Sequence, residues 1–236
     1  VWGPARKAAI KDEAILSSLM RQDGIGDTLR AWDWRFYAER RRLRDYDLNE
    51  ENVKPFFQLD NLINATFKCA FELFGLEFSP LDVPLYHDDC RAWTVSRKGE
   101  SIAVFIGDYF SRPSKRSGAW CNAMRSQAKF PTKQIPIVVN VCNFSKVDKF
   151  LLSFEDAKTL FHEFGHALHQ ILSDVTYNII SGTSVARDFV ELPSQLFEHW
   201  LEVPDILEEF ATHCETGETL PPKMLSSILA ASTFDM

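Results

Sequence analysis

The chain has no cysteine pair at CxxC spacing, no run of 18 apolar residues, no basic tail and no acidic run. Its five cysteines, Cys69, Cys90, Cys121, Cys142 and Cys214, are odd in number and scattered. They do not frame a disulfide scaffold, and they point to a reducing, cytoplasmic setting. Without a long apolar run there is no helical membrane span to expect, and no charged-then-apolar leader opens the chain. A net charge of −7 over 236 residues, with no basic cluster, offers nucleic acid no footprint. Internal repeats and low-complexity segments are absent too. The expected partners are small molecules or peptides, neither nucleic acid nor membrane, and the expected state is a monomer.

What is present is 45% hydrophobic residues, enough for one large core or two small ones. The chain opens at "VWGPARKAAI", already inside a helix-like pattern, and stops at "AASTFDM" with no capping signal, so it reads as a piece of a longer protein. The expected organisation is one region with helical residues 1–80, β-rich residues 81–145 and a helical part over 150–236.

In the first part, "PARKAAIKDEAILSSLMRQDG" carries Pro4 where a first helical turn tolerates it and Gly24 as a stop. "WDWRFYAERRRLRDYDL" is rich in aromatics and arginines, and Pro55 to Gly75 shows apolar positions at helical spacing. In the middle, "CRAWTVSRKGESIAVFIGDYF" predicts a β-hairpin turning at Arg97–Glu100. "SRPSKRSGAWCN" reads as a loop whose basic residues are structural or solvated. "IPIVVNVCNF", residues 135 to 144, predicts a strand. After it, Ser153 and Asp156 are spaced for a capping box, opening a helix that runs to about Leu172. A second helix over "DFVELPSQLFEHWLE" begins near Glu191 or is distorted there by Pro193, and the remainder to Met236 looks helical.

The first of these later helices contains "TLFHEFGHALHQ". Four residues of α-helix turn through about 400° and rise about 6 Å, so His162 and His166 share a face and can both reach one ion. Glu163 sits about 100° further round, where it can address a water without itself being a ligand. The string alone arises by chance in roughly one sequence in a hundred of this length and composition. Its context supports a zinc site: a capped helix, a β-rich segment before it, and Gly165 inside. That glycine costs the helix about 1 kcal/mol relative to alanine, which close approach of another backbone would explain.

Zinc needs a third protein ligand. A metzincin pattern would require glycine at 169 and histidine at 172, but those positions are His169 and Leu172. His169 lies two turns from His162, too far along the axis to share its ion easily, and reads as an outer or packing histidine. What remains is a carboxylate from the following helix. Glu191 is flanked by Phe189, Val190 and Leu192, a costly place for a carboxylate unless it is paired or metal-bound. Asp188, Ser194 and Gln195 lie within a turn of it and can orient ligands, or serve only as caps and surface polar groups.

"TLFHEFGHALH" followed by "SGTSVARDFVELPSQLFEHW" resembles the thimet oligopeptidase family of zinc peptidases, and within it the bacterial peptidyl-dipeptidase branch. "FFQLDNLINATFKCAFELFGL", "GDYFSRPSKRSGAW" and "IPIVVNVCNF" extend the likeness over nearly the whole chain. The resemblance implies a mainly α fold with a small β-sheet, an α+β zincin-like core. It implies one Zn2+ held by His162, His166 and Glu191, and Glu163 as catalytic base. It also implies short peptide substrates, with further substrate-binding histidine and tyrosine residues downstream of this stretch. Release of C-terminal dipeptides is the leading expectation. An endo-acting oligopeptidase, or a zinc-binding fragment without turnover, are the alternatives. The strand at Pro136–Asn143 either receives an extended substrate by edge pairing or lies inside the sheet; the pattern allows both.

Overall fold

The computed structural model of the protein describes residues 1–26, 28–46, 50–146 and 148–232. Its helices are α1 (Trp2–Gln22), α2 (Trp34–Tyr46), α3 (Glu50–Val53), α4 (Leu59–Phe74), α5 (Phe154–Ile171), α6 (Leu192–Glu198), α7 (Pro204–Phe210) and α8 (Pro222–Ser232). Its strands are β1 (Leu76–Pro80), β2 (Arg91–Arg97), β3 (Glu100–Phe110), β4 (Trp120–Arg125) and β5 (Ile137–Phe144). The result is mainly helical with one small mixed sheet, the α+β architecture the sequence predicts. Two compact units are distinguishable, Val1–Asn52 with Pro221–Met236, and Val53–Leu220. No helix among the described residues is long and apolar enough to cross a membrane.

In the first unit, Leu16, Leu19 and Met20 of α1 bury against Tyr37 and Ala38 of α2. Arg41 of α2 reaches back to Asp12 at 2.7 Å. The helix ends where predicted, just before Gly24 at φ +72°. Residues 27, 47–49 and 233–236, also expected to be helical, lie outside the described residues.

The second unit holds the sheet, in strand order β1-β2-β3-β5-β4. The predicted hairpin is β2–β3, closed by Lys98 and Gly99 at φ +53° and +79°. Both central residues at positive φ make the tight turn that matches strand twist, and glycine takes that conformation without strain. The predicted helix from Pro55 starts later. Lys54–Phe56 form a single 3₁₀ turn, and α4 begins only at Leu59. The interruption is Phe57, fully buried, whose carbonyl accepts from the Leu152 amide at 2.8 Å instead of continuing a helix.

Two sequence expectations need correction. The stretch expected to be loop through Asn122 ends in strand β4, where Trp120, Cys121 and Asn122 pair with Val141, Asn140 and Val139. Six residues with little β pattern become a strand because β5 offers them a ladder. Of the two places open to β5, the structure takes the internal one: it is parallel to β3 on one side and antiparallel to β4 on the other. The second correction is β1: the helical reading through residue 80 fails at Leu76–Pro80, which is a strand because it pairs with β2.

The loop between β3 and β4 is structural, as expected. Asp108, nearly fully buried, receives both guanidinium nitrogens of Arg112 at 2.7 and 2.8 Å, Lys115 Nζ at 3.1 Å and the Tyr86 hydroxyl at 3.0 Å. Burial alone would raise this carboxyl; the two cations outweigh it and hold the group below the usual aspartate range. Lys115 also donates to the Phe110 and Cys142 carbonyls, tying the loop to β3 and β5. The start of β4 is thereby fixed beside β5.

Candidate metal centre

The site is built on α5. Ser153 caps it: the Asp156 amide donates to Ser153 Oγ at 3.0 Å, and the Ser153 amide donates to Asp156 Oδ2 at 3.3 Å. A cap of this kind stabilises a helix by about 0.5–2 kcal/mol. Phe161, Phe164, Leu168 and Ile171 recur at helical spacing and are buried. Phe164 meets Phe105 of β3 edge-on at 5.3 Å and Phe197 of α6 at 5.6 Å. Full burial of each such ring contributes about 1.5–3 kcal/mol, and together they fix the rotation of α5 about its axis. That rotation sets the direction of His162 and His166, whose rings lie 4.8 Å apart and nearly perpendicular.

Gly165 supplies the close approach its sequence context suggested. A Cβ there would stand 2.7 Å from the Ser194 Cα, 3.0 Å from the Phe197 Cβ and 3.2 Å from the Pro193 carbonyl oxygen. α6 therefore crosses directly on this glycine. Gly165→Ala is expected to force the two helices apart. Overpacking costs about 1–3 kcal/mol, of which alanine's helix preference returns about 1 kcal/mol. The expected outcome is a melting temperature lower by a few degrees together with weaker metal retention, read by calorimetry and metal analysis. A variant as stable as the parent, with unchanged metal content, would show that the helices have room.

That crossing brings Glu191 to the histidines. Glu191 is the N-cap residue of α6, with Pro193 in the first turn, so the helix starts beside Pro193 as expected. Its Oε2 lies 3.3 Å from His162 Nε2 and 3.2 Å from His166 Nε2. One donor atom from each of the three residues falls within 4.8 Å of the others. The reason the sequence suggested for Glu191 does not hold, however. Its side chain is 51% exposed, and Phe189 and Leu192 beside it are exposed as well. Helix crossing places this carboxylate, not an apolar burial.

The donor chemistry fits a cation. His162 faces carboxylates on both ring nitrogens: Glu191 through Nε2, and Glu198 through Nδ1 at 2.6 Å. A neutral imidazole has one N–H. With that proton donated to Glu198, the Nε2 lone pair and a Glu191 oxygen face each other as two acceptors, an arrangement that a positive ion between them resolves. Burial pushes His166 below the usual histidine range, which favours its neutral form. Ligand atoms at about 2.0–2.1 Å from one tetrahedral ion lie about 3.3 Å apart, the spacing found here for both imidazole–carboxylate pairs.

Glu163 is 6% exposed, and its Oε2 is buried without a hydrogen-bond partner. Burial, and then the Glu191 charge, push its carboxyl up to about 7 against the opposing influence of His162. The Cys121 and Cys142 thiols are raised too, by burial first and by the Glu163 charge second, which disfavours their thiolates.

The four residues expected to support the site divide. Ser194, fully buried, donates from Oγ to the Glu191 carbonyl at 2.8 Å and stands 3.3 Å from Glu191 Oε2. Asp188 and Gln195 are exposed, and among the described residues neither side chain hydrogen-bonds to the group. His169 points into a separate cavity of about 710 Å³ with Leu168, Phe189 and Trp200. Burial lowers its pKa, and its Nδ1 has no partner. Sequence reasoning missed Glu198. The signal was present: it follows Glu191 by seven residues, two helical turns, and so returns to the face that α6 presents to the histidines.

Residues 4–236 match Peptidase family M3, and the chain belongs to that family. It is 40% identical over 238 residues to the dipeptidyl carboxypeptidase of Salmonella typhimurium, covering 98% of this chain and 35% of that protein. It is 38% identical to the organellar oligopeptidase A of Arabidopsis thaliana, covering 96% and 31%, and 32% identical to the oligopeptidase A of Escherichia coli, covering 98% and 35%. The chain thus spans about a third of the length of these relatives.

Proposed function

We propose that this chain carries the catalytic centre of a zinc-dependent peptidase of short peptides, releasing dipeptides from the free C-terminus. The observation behind this reading is the convergence of His162, His166 and Glu191 with the buried carboxylate of Glu163 beside them, in a chain of Peptidase family M3. The names of the dipeptidyl carboxypeptidase relatives favour C-terminal dipeptide release. The oligopeptidase A relatives support internal cleavage as the second reading. The free cysteines suit the reducing, cytoplasmic setting that belongs to this proposal.

Zinc held by His162, His166 and Glu191 would supply a Lewis acid for the scissile carbonyl and would acidify the attacking water. The chain's own residues do the rest. Glu163 takes the proton of the attacking water and passes it to the leaving amine. A carboxyl pushed up to about 7 suits both halves of that transfer. The peptide lies extended along β4: β5 is paired on both sides, whereas β4 is the edge strand that packs against α5. Its free backbone groups can hold a substrate by strand addition.

The test is a short peptide with a free C-terminus, digested by the polypeptide that carries this chain and read by mass spectrometry. Stepwise loss of C-terminal dipeptides, abolished by a chelator and restored by zinc, is expected. Internal fragments would select the oligopeptidase reading, and cleavage indifferent to chelator would overturn the zinc chemistry.

A further inference from the structure

The two histidines are not held alike. His166 Nδ1 is buried with no partner, whereas His162 Nδ1 meets Glu198 Oε1 at 2.6 Å. The other oxygen of Glu198 lies 3.4 Å from Lys158 Nζ. Lys158 precedes His162 by one turn of α5, so lysine, His162 and His166 follow one another along a single helix face. On α6, Glu191, Ser194 and Glu198 are spaced three and four residues apart along the facing side. Two helical faces therefore interlock. One end of α6 delivers the candidate ligand Glu191, and the other delivers a carboxylate to the back of His162. Glu198 is 18% exposed and Lys158 26%, so this contact is partly shielded from water and is stronger than an open surface pair.

We infer that Glu198, braced by Lys158, is a positioning residue that fixes the ring orientation and tautomer of His162 for metal binding. The inference rests on the metal reading given above and deepens it. Accepting from Nδ1–H leaves the lone pair on Nε2, the nitrogen that faces Glu191 and His166. A carboxylate hydrogen bond also makes the imidazole a better donor, and the lysine stops the carboxylate from turning away. Loss of such an outer partner typically lowers metal affinity by about 10–100-fold. The sharing of work is unequal: both rings meet Glu191 through Nε2, but only His162 has a carboxylate on its Nδ1.

The experiment is a zinc titration of the purified, metal-free polypeptide that carries this chain against a chromophoric chelator. Glu198→Ala is expected to bind zinc about 10–100-fold more weakly. Glu198→Gln, which keeps an acceptor oxygen at the ring, should recover most of that loss. Lys158→Met should weaken binding in the same direction by a smaller factor. Long-range proton–nitrogen NMR of the unsubstituted zinc-loaded protein needs no variant and should show the His162 proton on Nδ1. A parent chain that takes up no zinc would overturn the metal reading and this inference together. If the parent binds zinc, then parent-like affinity in Glu198→Ala, a Gln variant as weak as the Ala variant, or a His162 proton on Nε2 would each overturn the positioning role alone. Unchanged affinity in Lys158→Met would remove the brace.

Discussion

Glu163→Gln is expected to leave metal content unchanged and to lower peptide hydrolysis by about 10²–10⁴-fold, the range that a positioned general base supplies. In barrier terms this is about 3–5 kcal/mol. The two side chains have nearly the same shape, so the packing around α5 is kept. Glu163 is not among the three converging donors, so their approach is not altered. Its buried Oε2 has no partner to lose, and a neutral amide is cheaper to bury than a carboxylate. The substitution therefore removes proton transfer while leaving fold and metal in place. Single-turnover hydrolysis of a short peptide, with metal analysis on the same sample, makes the comparison. Turnover near that of the parent would mean that another group activates the water.

The second large effect falls on the metal itself. Glu191→Ala is expected to release the ion, and His162→Ala to do so at least as completely. Either change should cost more than the 10–100-fold expected when only an outer partner is lost. Glu191 is half-exposed and contributes little to the core, so its removal should barely change the melting temperature of the metal-free chain. That contrast between a large loss of metal and a small loss of stability separates a ligand from a structural carboxylate. Zinc retained at one per chain in Glu191→Ala would remove Glu191 from the ligand set.

Several features of the centre were legible because they obey local rules. The capping box at Ser153 and Asp156 is a three-residue relation, and the common face of His162 and His166 is a four-residue one; both survive in α5 because a helix preserves short spacings. Gly165 announced a close approach because a glycine inside a good helix carries a local cost, although nothing local named Ser194 as the neighbour. The β2–β3 turn was legible for the same reason: Lys98 and Gly99 make it within the hairpin itself.

Other features were settled between elements distant in the chain. Glu191 was chosen from sequence for an apolar neighbourhood that it does not have; the crossing of α6 over Gly165 brings it to the histidines. Glu198 meets His162 across 36 residues of sequence, a pairing no periodicity of α5 encodes. β4 and β1 form because β5 and β2 offer unpaired edges, and β5 is internal because β3 and β4 claim both of its sides. By itself the sequence determined that His162 and His166 share one face of one helix and at what spacing, because helical geometry is local. Only the tertiary structure decided which carboxylates complete the group and which strand is left open beside it, because hydrogen bonding and packing between elements are satisfied only when the whole unit has closed.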